Sequence, residues 1–158
     1  MDITFKTEEG RFNYRVCAVI INKDKLLAMK DVNTKYFYLP GGRVMFHETA
    51  EEAVLREVKE ELEVDGEIIR PLWINQGFFT EDFSNEKYHE LCIYFLVDVS
   101  KTKILSLGDK FTLVEGEKIH SFQWLPFIEL TNEYLYPLFI KKRIFNLPIS
   151  LELITEKE

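Results

Sequence analysis

One glutamate-rich stretch between strand-like segments constrains the fold more than any other part of the chain. Residues Thr49 to Glu63 repeat apolar side chains with a helical period, which predicts an amphipathic helix. Thr49 is a suitable N-cap, and "TAEE" fits a capping box completed by Glu52. Because the segments on both sides have β-type composition, this helix has to pack against a sheet. The sequence therefore predicts an α/β or α+β fold.

Two glutamates of this predicted helix point toward the protein body. With about 100° per residue, Glu57 and Glu61 fall within roughly 20° of the centre of the apolar stripe. The stripe consists of Ala50, Ala53, Val54 and Val58. An unpaired carboxylate on such a face is costly, and like charges four residues apart repel each other. Arg56 points roughly 100° away from Glu57, so we expect it to neutralise the pair poorly. Two interpretations remain open from the geometry: a hard divalent cation joins the carboxylates, or the helix is solvated and its stripe imperfect.

The remaining segments predict strands, loops and one further helix. Apolar runs at residues 14–21 and 26–29, separated by "NKDK", predict a hairpin. "KYFYLPGG" predicts a short aromatic strand ending in a turn, where Gly41 and Gly42 would allow positive φ and close approach to a ligand. Further strands are predicted at "GEIIRPLWINQGFF", "HELCIYFLVDVS" and "SFQWLPF", with loops at "TEDFSNEKYH" and "LGDKFTLVEGEKIH". "FIELTNEYLYPLFIKKRIFN" has helical spacing, interrupted at Pro137.

Composition excludes several classes of protein. A length of 158 residues predicts one domain spanning 1–158, and 46% hydrophobic residues exclude a disordered chain. The net charge of −7 argues against binding a nucleic acid duplex or a membrane surface. The sequence shows neither a signal-peptide pattern nor a long apolar stretch, so a cytoplasmic location is expected. Cys17 and Cys92 lie in apolar strand-like runs and are expected to be buried and reduced.

The residue types and spacings between Gly42 and Val64 form a specific pattern. The defined positions are Gly42, Glu48, Arg56, Glu57, Val58, Glu60, Glu61 and Val64. This pattern resembles the signature of the Nudix hydrolase family, G-x5-E-x7-R-E-U-x-E-E-x-G-U, with U an aliphatic residue. The one mismatch is Glu63, where the family has a glycine that usually ends the helix. We therefore expect the helix to run on and to end at Asp65-Gly66.

The resemblance implies a fold and an activity. The implied fold is an α/β/α sandwich with a mixed β-sheet between helices. The implied activity is Mg²⁺- or Mn²⁺-dependent hydrolysis of a diphosphate linkage in a nucleoside diphosphate derivative, in which a metal-activated water attacks phosphorus. The implied metal ligands are Glu57, Glu60, Glu61 and the backbone carbonyl of Gly41 or Gly42. Glu48 and Arg56 are implied to pair and to hold the loop against the helix. The family is compatible with a homodimer, although no residue of the chain establishes one.

Residues outside the signature supply candidates for the general base. Glu60 is one candidate, but family members often place the base on a later loop. "LVEGEKIHSFQW" contributes Glu115 and Glu117 there. Either side chain would reach the metals from a mobile loop, and Glu117 is the predicted base. Both glutamates are also compatible with a solvated loop.

Other residues are candidates for contacts with substrate. Arg15, Lys30 and Arg43 lie near the expected site in sequence and would meet phosphate oxygens, although each is also compatible with ordinary surface charge. Phe37 is a candidate for stacking on a base. The pair His89-Glu90, at the start of a buried strand, is a further candidate for a metal or substrate contact.

Two alternatives on the same fold predict different residues. A catalytically silent nucleotide-binding or regulatory module would be expected to have lost metal ligands, whereas this chain keeps Glu57, Glu60 and Glu61. A metal-dependent isomerase would be expected to carry extra Cys or His near the site. The sequence therefore favours a pyrophosphohydrolase.

Overall fold

The computed structural model describes residues 1–158 and arranges ten strands in two sheets. The strands are β1 (Thr4–Lys6), β2 (Arg11–Val19), β3 (Ile21–Asn22), β4 (Lys25–Asp31), β5 (Gly41–Arg43), β6 (Glu67–Thr80), β7 (Lys87–Asp98), β8 (Lys110–Glu115), β9 (Lys118–Pro126) and β10 (Glu152–Lys157). The helices are α1 (Ala50–Leu62), α2 (Ile140–Arg143) and two 3₁₀ segments, Lys103–Leu107 and Phe127–Asn132. None of these helices is long and apolar enough to cross a membrane.

The first sheet is mixed. Its order is β1-β2-β7-β6-β10, and β5 pairs with β2 beside this path. β2 runs parallel to β7, and β10 runs parallel to β6, whereas β6 and β7 are antiparallel. The second sheet, β3-β4-β9-β8, is antiparallel throughout. The predicted α+β fold with a mixed sheet is confirmed.

Two hydrophobic cores lie on opposite faces of the first sheet. Along β2 successive side chains alternate between the faces. Val16 and Ala18 pack in the core that contains α1. Cys17 and Val19 pack in the core that contains α2 and the second 3₁₀ segment. The sheet is therefore covered by helices on both sides, as the sandwich prediction required.

Helix α1 begins as its sequence predicts and ends differently. The Thr49 side chain accepts a hydrogen bond from Glu52 N, and the Glu52 carboxylate accepts one from Thr49 N, so the capping box is present. The helix does not run on to Asp65-Gly66. Glu63 itself adopts the left-handed conformation, with φ 59° and ψ 29°, and ends the helix where the signature has glycine. The prediction of an extended helix was wrong because a non-glycine residue tolerates this conformation at a cost of about 1 kcal/mol.

Three other segments differ from the sequence prediction. The hairpin at "NKDK" joins β3 to β4, and β2 belongs to the other sheet. The predicted loop at residues 107–120 contains the β8-β9 hairpin, whose turn includes Gly116 at φ 60°. The alternation of exposed and partly buried residues in "KFTLVE" is the strand signal that composition concealed. The predicted C-terminal helix is only a 3₁₀ segment followed by the single turn α2.

Candidate active site

Strand β5 and helix α1 meet at a contact that only glycine permits. A Cβ atom on Gly42 would lie 2.3 Å from Glu57 Oε1. A Cβ atom on Gly41 would lie 2.1 Å from the carbonyl oxygen of Val16 in β2. Neither glycine has a positive φ, so the predicted turn is wrong, and the two residues belong to a strand. Their function in the fold is to bring the backbone close to the helix on one side and to β2 on the other.

The two inward glutamates lie against this glycine strand. The Gly41 N–H donates to Glu61 Oε1 at 2.8 Å. Glu61 is only 7% exposed, and burial, followed by the nearby charge of Glu57, raises its pKa to about 9. Burial also raises the pKa of Glu57, although the Arg56 guanidinium opposes that rise. The protein therefore holds two carboxyl groups in a place where its own positive charge does not fully balance them.

Arg56 connects the helix, the preceding loop and β5. Its guanidinium makes a bidentate contact with Glu48, with Nε to Oε2 at 2.6 Å and Nη2 to Oε1 at 3.0 Å. Nη2 also donates to the Arg43 carbonyl at 3.0 Å. The hydrogen bond from Arg56 lowers the pKa of Glu48. Burial raises it by less, so the pKa stays below its ordinary value. The pairing that the family resemblance implied between Glu48 and Arg56 is thus present.

Arg56 also reaches Glu57, contrary to the angular prediction. Nη1 donates to Glu57 Oε1 at 2.9 Å. The angular estimate compared directions at the helix axis, whereas an arginine side chain is long enough to bend across its neighbour. Glu57 therefore has a cationic partner on one side, and Glu61 has only a backbone N–H.

Glu60 lies apart from the other two glutamates. Its side chain is 42% exposed and contacts Arg56 Nη1 at 3.4 Å. No three side chains of Asp, Glu, His or Cys surround a common point in this structure. Glu57 and Glu61 fit a hard cation by donor type and by unbalanced charge, and Glu60 would have to leave Arg56 to join them.

The β8-β9 hairpin brings Glu115, and not Glu117, toward these glutamates. The charge of Glu115 also raises the pKa of both Glu57 and Glu61, although burial has the larger effect on each. Glu115 also contacts His120 Nε2 at 2.9 Å, and His120 is buried. Glu117, the predicted base, lies exposed in the turn and makes no hydrogen bond or ion pair. The alternation in "KFTLVE" indicates a strand that ends with a partly buried Glu115, and Glu117 lies beyond that strand.

The predicted substrate contacts occupy different environments. Arg43 lies 3.8 Å from Asp2, and its carbonyl is used by Arg56. Phe37 is 8% exposed and lies under the Lys30 ammonium, 4.1 Å from the ring centre. Arg15 is partly buried, and its guanidinium makes no hydrogen bond or ion pair with the protein. Of the two predicted substrate-binding arginines, Arg15 alone has neither a hydrogen bond nor an ion pair at its guanidinium.

The cysteines are buried and free, as expected. Their sulfur atoms lie 3.6 Å apart, on the face of β2 and β7 that carries Arg15.

A family model described as "NUDIX domain" matches residues 11–145, which include every residue of this site. The chain belongs to the NUDIX domain family. Over 84 residues it is 38% identical to an ADP-ribose pyrophosphatase of Methanocaldococcus jannaschii. That match covers 51% of this chain and 47% of the relative, so it spans about half the length of that protein.

Solved structures share the fold of this NUDIX domain. The mutator MutT protein of Bacillus halodurans has a TM-score of 0.63 at 15% identity, covering 90% of this chain and 88% of that one. The MutT protein of Methanosarcina mazei Go1 has a TM-score of 0.56 at 21% identity, covering 85% and 91%. An ADP-ribose pyrophosphatase of Streptococcus suis has a TM-score of 0.54 at 18% identity, covering 91% and 98%. At these identities the likeness concerns the NUDIX fold alone.

Proposed function

We propose that this NUDIX domain hydrolyses a diphosphate linkage in a nucleoside diphosphate derivative with the help of Mg²⁺ or Mn²⁺. One observation carries the proposal: Glu57 and Glu61 are held together against a glycine strand with raised pKa values and too little positive charge. A divalent cation supplies that charge, and carboxylate oxygens are the ligands it prefers. The ADP-ribose pyrophosphatase relative supports the same class of reaction.

The proposed metal ligands are Glu57, Glu61, Glu60 and the Gly41 carbonyl. A bound divalent ion offsets phosphate charge and lowers the pKa of a coordinated water. The Gly41 N–H fixes one oxygen of Glu61, which leaves the other oxygen available to a ligand. Glu60 is exposed and held only by a 3.4 Å contact, so its movement toward the ion breaks little structure.

Other residues of the chain position these groups or move a proton. Arg56 ties Glu48 and the Arg43 carbonyl to the helix, so it fixes the distance between α1 and β5. Glu115 is the proposed general base in place of Glu117, because its charge acts on both inward glutamates. The buried His120 orients Glu115 through their 2.9 Å contact.

The proposal assigns all of residues 1–158 to one domain. Strands β1 and β10 lie outside the matched range, yet they form the two ends of the first sheet. A cytoplasmic location and a homodimer stay predictions.

The test is a substrate panel with matched variants. The panel contains ADP-ribose, sugar nucleotides, dinucleoside polyphosphates and nucleoside triphosphates, each with Mg²⁺ or Mn²⁺. We expect Glu57→Gln and Glu61→Gln to lower turnover of the best substrate by about a hundredfold or more. Glu51→Gln removes an exposed carboxylate of the same helix and should stay within about twofold of the wild type. Absence of turnover on the whole panel, together with absence of Mn²⁺ binding in calorimetry, would refute the proposal.

A further inference from the structure

A polar group lies on the face of the first sheet that points away from α1. Its members, here called the Arg15 cluster, are Asn13, Arg15, Glu90 and Asn75. They come from three neighbouring strands in matching register: Asn13 is opposite Glu90, and Arg15 and Asn75 both flank Cys92. This face otherwise packs an apolar core around Trp73 and Tyr94. Such a cluster beside an apolar core requires hydrogen-bond partners.

Arg15 has no such partner in the protein. No carboxylate lies within ion-pair distance of its guanidinium, and none of the guanidinium N–H groups donates a hydrogen bond to the protein. Burial is the largest influence and opposes the charge of Arg15, but Glu90 and the neighbouring Cys17, Cys92 and Tyr94 together outweigh it, so the pKa of Arg15 lies above its ordinary value. The guanidinium is therefore charged, with five donors that a ligand can use. Glu90 is near enough to act on Arg15 and is itself held only by Asn13, through a 3.4 Å bond to one oxygen.

An acceptor in the same cluster is also unused. Asn75 Oδ1 is buried without a partner, while its Nδ2 donates to Glu156 Oε1 at 3.0 Å. The cluster thus offers the donors of Arg15 beside acceptors on Glu90 and Asn75. A ligand that satisfies it has to present an acceptor and a donor close together.

Three tyrosines outside the Arg15 cluster form an aromatic group. The rings of Tyr36, Tyr134 and Tyr136 lie 5.0 to 5.7 Å from one another. Burial, followed by the charge of Glu81, raises the pKa of Tyr36, and the positive charge of Arg15 partly opposes that rise. Tyr134 and Tyr136 keep 53% and 37% of their surface exposed, which leaves ring area for stacking.

The cluster is within reach of the carboxylate site. Arg15 precedes Cys17 by two residues on the same face of β2, a distance of roughly 7 Å along a strand. Cys17 pairs with Gly41, whose N–H binds Glu61. Because the cluster and α1 lie on opposite faces of the sheet, a ligand that reaches both places has to pass the β5 edge of β2.

We infer that Arg15 and Glu90 bind the nucleobase of the substrate whose diphosphate lies at Glu57 and Glu61. This inference rests on the proposed function. A phosphate would use Arg15 but would be repelled by Glu90. A nucleobase offers both a hydrogen-bonding edge for these two residues and a flat ring for the exposed tyrosines. A nucleobase edge carries a ring or carbonyl acceptor next to an amino or imino donor. The acceptor faces Arg15, the donor faces Glu90, and the ring lies against the tyrosines.

Binding of products tests this without requiring turnover. Calorimetry would compare the four common nucleoside 5′-monophosphates with ribose 5-phosphate, which lacks a base. We expect at least one nucleotide to bind the wild type about tenfold or more tightly than ribose 5-phosphate. Arg15→Gln and Glu90→Gln should reduce that preference to about twofold or less and leave ribose 5-phosphate affinity unchanged. Arg143→Gln removes a surface arginine paired with Glu152 and serves as the matched control.

The outcomes separate this inference from the proposed function. Nucleotide binding that depends on Arg15 and Glu90, without turnover of any substrate and without Mn²⁺ binding, would support the base site and refute the hydrolase. Turnover with KM unchanged in both variants would refute the base site and leave the hydrolase intact. Equal loss of nucleotide and ribose 5-phosphate binding in Arg15→Gln would make Arg15 a phosphate ligand and overturn the inference. If Arg15→Gln fails to fold, Arg15→Lys, which keeps the charge and loses the fork, gives the same comparison.

Discussion

Substituting Gly42 by alanine should lower turnover strongly and reduce stability only slightly. The new Cβ would lie 2.3 Å from Glu57 Oε1, so the carboxylate has to retreat by roughly 1 Å to reach ordinary contact distance. A movement of that size is enough to break the 2.9 Å bond from Arg56. Misplacing a catalytic group by about 1 Å lowers turnover by about a hundredfold, which is the expected effect.

The same substitution should leave the protein folded. Losing a hydrogen bond to a charged group costs about 1.5–3 kcal/mol. Restricting the unfolded chain regains about 0.4–1 kcal/mol, because φ at this position is not positive. We therefore expect the free energy of unfolding to fall by about 1–2 kcal/mol, as measured by urea denaturation.

Gly41→Ala is the control variant, in which we expect the larger loss of stability. Its Cβ would meet the Val16 carbonyl oxygen at 2.1 Å and Cys17 Cα at 2.9 Å, both backbone atoms of β2. Backbone cannot yield as a side chain does, so β5 has to separate from β2, at a cost of about 3 kcal/mol or more. The reasoning would be refuted if Gly42→Ala kept metal-dependent turnover within about twofold of the wild type. It would also fail if the two variants lost equal stability.

Two further predictions concern the C-terminal end of the same helix. Without metal, the free energy of unfolding should fall by up to about 1.4 kcal/mol per pH unit between pH 5 and pH 8 relative to Glu61→Gln. The reason is that the folded pKa of Glu61, about 9, lies above its ordinary value of 4.5, so its proton is favoured in the folded state and is lost as pH rises. Urea titrations at several pH values measure this, and parallel curves for both proteins would contradict it. Glu63→Gly should exceed Glu63→Ala in stability by about 0.5–1 kcal/mol, because both lose the weak contact with Lys103 and only glycine relieves the left-handed strain. Thermal unfolding should show a gain of about 2–3 °C, and equal midpoints would argue against strain at this residue.

Local periodicity in the sequence was sufficient to predict the helix and its two inward glutamates. The 3.6-residue period, the Thr49 cap and the positions of Glu57 and Glu61 depend only on residues close in sequence. The structure reproduces all of them. The strand character of β6 and β7 was equally clear, since both carry long apolar runs.

Contacts between segments distant in sequence could not be predicted from local periodicity. The pairing of β2 with β7 rather than β4 depends on which faces the two sheets bury, which no short window contains. The C-terminal apolar spacing suited a helix, but Leu135 and Ile140 are instead anchored separately in the second core. The reach of Arg56 to Glu57 depends on side-chain conformation, which helical angles do not describe.

Strand β2 contains two alternating sets of residues, and each set serves a different face of the sheet. Its even-numbered residues, such as Val16, fill the core beneath α1, while Arg15 and Cys17 face the other side. Substitutions in β2 can therefore alter one duty alone. Insertion or deletion of one residue would exchange the faces for the rest of the strand, placing charge in the core and apolar side chains at the Arg15 cluster. We expect β2 to accept changes of residue type far more readily than any change of length.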